Sequence, residues 1–194
     1  MNKLYTMLKY YFLFLICISS LFISNGYSQS FKMLDDAPHD IIYLRESLAT
    51  QPLVKVLYGR PQKIESEVFG IQVPYGKIWR TGANEATEVR FYKDVKFGDV
   101  TVGAGTYVLY AIPGEKEWEV LLSSNLDVLG TFQYDPAFDV ARITVPVSKA
   151  EVLENFSIAF KEKDEGFIMV LGWDTTRVAI PLLFNSPVML VNRL

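Results

Sequence analysis

"GTYVLYAIPGEKEWEVLLS", residues 105–123, is the stretch whose reading decides the fold. Its first run, Gly105 to Ile112, is apolar at successive positions, so both faces of an extended chain are apolar, as in a central strand. Pro113 and Gly114 close that run with a turn signal. The second run then alternates, with Trp118, Val120 and Leu122 directed inward.

The same grammar continues on both sides. "PLVKVLY" (52–58) stops at Gly59-Arg60-Pro61, and "TEVRFYK" (87–93) places Val89 and Phe91 on one face with Glu88, Arg90 and Tyr92 on the other. "VKFGDVTV" (95–102) reads as a tight hairpin about Gly98-Asp99. Towards the C-terminus come "DVARITVPV" (139–147), "NFSIAFKEK" (155–163), a turn at 164–166, and "FIMVLGW" (167–173). Asp174-Thr175 then reads as a turn into "TRVAIPLLF" (176–184). Only "SKAEVLEN" (148–155) reads as a short helical turn. Roughly nine or ten short strands without intervening helices exclude parallel βαβ wiring. The expectation is an all-β, single antiparallel two-sheet β-sandwich over residues 31–184, with jelly-roll wiring one way to connect it. Residues 185–194 form a C-terminal tail or an edge strand.

The first thirty residues are a different kind of sequence. Lys3 and Lys9 precede "YYFLFLICISSLFI" (10–23), and small residues follow in "SNGYSQS" (24–30). A charged start, an apolar core and a small-residue cleavage region make residues 1–29 a signal peptide, cut between Ser28 and Phe31. The apolar core falls short of the roughly 20 residues that span a bilayer, so no stable membrane anchor remains after cleavage. Lys3 and Lys9 are the leader's only charged residues, so its removal leaves 17 basic (19 − 2) against 22 acidic residues and moves the net charge from −3 to −5. The single cysteine, Cys17, leaves with it, so disulfides, a Cys nucleophile and thiolate metal sites are excluded from the mature chain. An acidic chain without Lys/Arg runs is no nucleic-acid binder.

His39 is the only histidine, which rules out any site needing two. It lies in "LDDAPHDIIY" (34–43), where Asp35, Asp36 and Asp40 have the composition of a turn before a strand. Neither a metal nor another cofactor is expected. Two arginine-bearing joints carry more information, "LYGRP" (57–61) and "WRTGANEAT" (79–87). In one reading the second is a buried joint: Arg80 and Glu85 pair around Gly82, Trp79 covers them, and the Thr81 and Thr87 hydroxyls bond the backbone. In the other it is a loop that binds a sugar or a peptide through Trp79, Arg80, Asn84 and Glu85, with Arg60 close by. These five residues are the candidate binding set, and no catalytic residue is assigned.

"PLVKVLYGRP", "FGIQVPYGKIWRTGANEATEVRF", "AGTYVLYAIPGEKEW" and "GWDTTRVAIPL", in that order, resemble domain of unknown function 2911, with "WRTGANEAT" the most specific block. The resemblance covers about residues 31–184 and implies an extracytoplasmic single domain of bacterial origin, with no activity or site attached. "QKIESEVFG" (62–70), after the first joint, is less basic and less glycine-rich than that family's pattern. Two functions stay open. The first is a non-catalytic periplasmic or secreted module that binds an envelope glycan, peptide or protein. The second is a hydrolase in which Glu85 works with Asp135 or Asp174, which requires two carboxyls facing one cleft.

Overall fold

The computed structural model describes residues 2–21, 35–164 and 166–184. The chain divides into two compact units, residues 1–34 and 35–194. The first holds helix α1 (Asn2–Leu21), an apolar run with no glycine or proline to interrupt it. Among the described residues no helix is long and apolar enough to cross a membrane. The expected cleavage region and the tail 185–194 lie outside the described residues.

The second unit is built almost wholly of strands, as its sequence period requires. The strands are β1 (His39–Leu44), β2 (Val54–Gly59), β3 (Glu88–Phe91), β4 (Val95–Phe97), β5 (Val100–Val102), β6 (Gly105–Ile112), β7 (Glu117–Ser123), β8 (Asp139–Lys163) and β9 (Gly166–Phe184). Their hydrogen bonds form one open antiparallel sheet in the order β1-β2-β3-β6-β7-β8-β9-β4-β5. β8 links the β1-β2-β3-β6-β7 part of the sheet to the β9-β4-β5 part, because its first residues pair with β7 and the rest with β9. The β4–β5 hairpin, made where expected about Gly98, leaves the neighbourhood of β3 and pairs with the end of β9.

Two expectations needed correction. Residues 148–155 do not coil into a helical turn; they lie within β8, where Lys149 faces Thr176 and Leu153 faces Asp174, with register shifts on either side of Leu153. Partner strands fix this segment more firmly than its weak helix propensity does. Asp174 does not reverse the chain either. It takes φ 49° and makes a local bend inside a continuous β9, a conformation that aspartate tolerates.

The core explains why β6 is apolar on both faces. Leu109 and Ala111 belong to the main cluster, with Val56, Phe91, Trp118, Val120 and Leu122. Val108 and Tyr110 belong to a smaller one, with Leu121 of β7, Ala86 and Val128. The second cluster is where the 78–87 and 126–134 loops cover the outer face of β6 and β7. That covering brings the two loops together.

Candidate functional site

Residues 79–87 make a loop tied at its base. Trp79 and Ala111 exchange both backbone hydrogen bonds (2.7 and 2.9 Å), and Thr87 N donates to Arg80 O at 3.3 Å. Thr81 sits at φ 52°, which a β-branched residue rarely adopts. It is fully buried, and its hydroxyl donates to Leu109 O at 2.8 Å while the Thr87 hydroxyl donates to Thr81 O at 2.8 Å. These bonds hold the strained turn. Gly59 lies against the loop so closely that a Cβ there would stand 2.2 Å from Ala83 O.

The five candidate residues do not share one environment. Trp79 is core: it stacks on Trp173 (centroids 6.1 Å apart, planes 23° apart) and meets Phe69, Trp118 and Phe156 edge-on. Arg60 is fully engaged, with Nη1 donating to Asp40 Oδ2 (2.9 Å), Nη2 to Ser157 Oγ (3.1 Å) and Nε to Phe156 O (3.3 Å). Asn84, at φ 60°, is exposed and donates to Asp35 Oδ1 and to Ala37 O, both at 3.2 Å. The Asp35 carboxyl is held below its ordinary value by the Ala37 N–H and then by Asn84.

The buried Arg80–Glu85 pair is corrected by the structure. Glu85 is 61% exposed and its Oε2 lies 3.1 Å from His39 Nε2. Two left-handed residues, Thr81 and Asn84, turn the loop so that Glu85 leaves on the side away from the expected partner. Arg80 is left without an acid: its Nε is buried and donates to no acceptor among the described residues. Burying such a donor unpaired costs about 1–3 kcal/mol. Its Nη1 lies 3.1 Å from where a Cβ of Gly130 would stand, and the Phe132 ring lies 3.5 Å from the same point. A Cβ at residue 130 would therefore crowd the guanidinium and touch the ring at ordinary contact distance.

Arg80 lines a cleft of about 330 Å³ with Lys77, Thr131, Pro61, Pro74 and Trp173 among its walls, and no carboxylate lines it. A cleft with two cations and no acid, in a chain of net charge −3, attracts anions. On the other side of the loop a cleft of about 540 Å³ has the opposite character, lined by His39, Glu85, Glu88 and Asp127 over an apolar floor of Leu57, Val108 and Val128. Thr131, Gly130 and Phe132 carry no motif and lie some fifty residues from Arg80, so sequence spacing gives no sign that they meet it. Lys77, two residues before Trp79, was open to notice in "YGKIW".

The three carboxylates considered for hydrolysis each have a partner elsewhere. Glu85 faces His39, and Asp135 accepts from Ala137 N at 2.9 Å as the cap of a 3-10 turn. Asp174 lies 3.0 Å from Lys63 Nζ, both side chains under one-fifth exposed. Among the described residues no group of three or more His, Asp or Glu is arranged to hold a metal ion.

Burial pushes the Asp174 carboxyl up, but Lys63 and the Val68 and Thr175 N–H groups outweigh it and hold it below its ordinary 3.8. A depressed carboxylate contributes stability that is complete above the unfolded value and is lost as pH falls through the folded one. Thermal melts are therefore expected to be insensitive to this pair from pH 7 to 5 and to lose its contribution below about pH 4. Lys63→Met is expected to cost about 2 kcal/mol at pH 7, between the figures for exposed and fully buried pairs, and to flatten that acid limb. An unchanged limb in the variant would assign the acid sensitivity to other groups.

Residues 45–182 match the family model described as protein of unknown function (DUF2911). The match spans most of the chain, and the chain belongs to that family. No curated protein and no solved structure matches.

Proposed function

We propose that this member of the family is exported, loses residues 1–29 and works outside the cytoplasm as a non-catalytic binding module for an envelope component seated in the Arg80 cleft. The observation that carries the reading is the guanidinium itself. A guanidinium that lines a cleft bearing a second cation and no acid, and whose buried Nε has no acceptor among the described residues, supports a ligand with an anionic oxygen. The layout of Lys3 and Lys9, an apolar run and small residues supports export. Engagement of Asp135 and Asp174 in a turn cap and an ion pair favours binding over hydrolysis.

The proposal includes a two-layered sandwich, formed by the single sheet folding over on itself. Three features support it. β8 passes from β7 to β9 at Pro146–Val147 and has register shifts just beyond, between Lys149 and Ser157, as strands that bend at sandwich corners do. Side chains from distant parts of the strand order, such as Val56 of β2, Phe97 of β4 and Ile180 of β9, share one core. A Cβ on Gly98, between β4 and β5, would meet Ile143 of β8 at 3.0 Å, although those strands are not neighbours in the sheet.

The test begins with cell fractionation and N-terminal sequencing. Protein recovered outside the cytoplasm is expected to begin between Gln29 and Phe31; a chain recovered only inside, starting at Met1, overturns export. The same purified protein, immobilised and exposed to envelope extract, is expected to retain a component that Arg80→Gln does not. Equal retention by both would remove the cleft from the proposal.

A further inference from the structure

We infer that the ligand of the Arg80 cleft is an acidic sugar, its ring carboxylate on the guanidinium and its C–H face on the Phe132 ring; this rests on the binding-module reading above. A guanidinium presents a flat fork that a carboxylate matches with two parallel hydrogen bonds, and such charge-assisted bonds are about twice as strong as neutral ones. Arg60, Arg142 and Arg177 all use their forks within the protein, on Asp40, on Glu119 with Asp139, and on backbone carbonyls respectively. Arg80 does not, and its Nε is the buried one.

The second observation is the aromatic ring beside it. Phe132 is 80% exposed and follows Thr131 of the cleft wall; its ring lies 3.5 Å, and Arg80 Nη1 3.1 Å, from where a Cβ of Gly130 would stand, so the ring is beside the guanidinium although it does not itself line the cleft. An exposed aromatic face next to a planar cation suits a pyranose ring that carries a carboxylate, because one side of such a ring is apolar C–H and the other groups are polar. Lys77 adds charge without geometry, which favours an acidic ligand over a neutral one.

Backbone groups of three residues at the cleft are already engaged, which disfavours an added peptide strand. Trp79 N and O are bonded to Ala111, Val73 N donates to Val68 O, and Arg80 O accepts from Thr87 N. A peptide binding by strand addition needs such groups free. A sugar ring needs a platform and a fork, which are present.

Titration of the purified protein tests this with three probes: a uronic-acid disaccharide, the same disaccharide with its carboxylates reduced to alcohols, and a blocked dipeptide with a free C-terminal carboxylate. The expected result is binding of the uronate only, with a shift of the Arg80 Nε–H resonance. Arg80→Gln is expected to weaken it more than tenfold, as loss of a charge-assisted pair does, while melting near wild type because no acid loses a partner. Phe132→Ala, on the surface, is expected to weaken it roughly threefold or more. Should Arg80→Gln fail to fold, the wild-type Nε–H shift and the Phe132 variant still decide.

Equal binding of the reduced sugar overturns the carboxylate assignment and leaves the binding-module reading intact. Binding of the dipeptide alone overturns the sugar, and no binding of any probe overturns the inference altogether. Uronate binding without capture of any envelope component upholds the site and removes the module reading.

Discussion

Gly59→Ala is expected to destabilise the β-unit by about 3 kcal/mol, at the upper end for overpacking, and to lower its melting temperature by roughly 10 °C. The cause is geometric. A Cβ on Gly59 would stand 2.2 Å from Ala83 O and 2.9 Å from Ala83 C, and both are backbone atoms. A flexible side chain could move aside, but this loop cannot move freely. Its base is tied by Thr87 N to Arg80 O, and Thr81 is fastened to Leu109 O in a strained conformation. Gly82 approaches from the other side, where its own Cβ would meet Gly59 O and the Thr87 hydroxyl at 3.0 Å. Two glycines thus let the end of β2 and the loop meet backbone to backbone. Gly103→Ala is the matched control: its Cβ would meet nothing closer than 3.9 Å, and its change is expected within about 0.5 kcal/mol. If both variants melt alike, the contact between Gly59 and Ala83 contributes nothing to stability.

How far that joint could be read from the sequence depends on which link is asked about. Strand faces were legible, because a period of two is local: Val89 and Phe91 are buried while Arg90 is exposed, and β6 is apolar on both faces because it has a core on each. The hairpin at Gly98 was legible for the same reason, since its turn chemistry is confined to two residues. The role of Thr87 was legible too, because a threonine hydroxyl reaches backbone near it in sequence; that Thr81 also bonds backbone was legible, but not that the carbonyl belongs to Leu109. Partners across the fold were not. Glu85 stands five residues from Arg80 and was the obvious acid for it, yet two positive φ angles carry it to His39. Lys63 and Asp174 meet across 111 positions (174 − 63) with no pattern joining them. The length of β8 was hidden because Ser148–Asn155 reads as polar and helix-tolerant, and only pairing with β9 makes it a strand. The "WRTGANEAT" block accordingly divides by residue. Trp79, Thr81, Gly82, Ala86 and Thr87 build the joint, Asn84 and Glu85 tie it to neighbouring segments, and Arg80 alone faces a cleft without a partner.

Trp79→Ala is expected to cost about 3–5 kcal/mol, the range for deleting a large buried aromatic. Trp79 is 8% exposed and lies among Phe69, Trp118, Phe156 and Trp173, with ring centroids between 5.0 and 6.1 Å from its own. Four aromatic neighbours cannot all collapse into the space it leaves, because Phe69 and Trp118 are already in contact at 4.6 Å and Phe156 holds Tyr58 edge-on at 5.7 Å. Trp79→Phe keeps an aromatic edge at the same place and is expected to recover more than half of that loss. The stacked neighbour gives an internal check. In a cycle with Trp173→Ala, the double variant is expected to differ from the sum of the singles by about 0.5–1.5 kcal/mol, since each single removes the same ring pair. The measurement also separates the two readings of the corner. A tryptophan serving as a ligand platform is exposed, so its removal changes affinity and leaves the melt within the surface norm of about 0.5 kcal/mol. A core tryptophan changes the melt first, even though Trp79 also forms part of the cleft wall. A Trp79→Ala protein that melts with wild type would overturn the assignment of Trp79 to the core and return it to the candidate binding set.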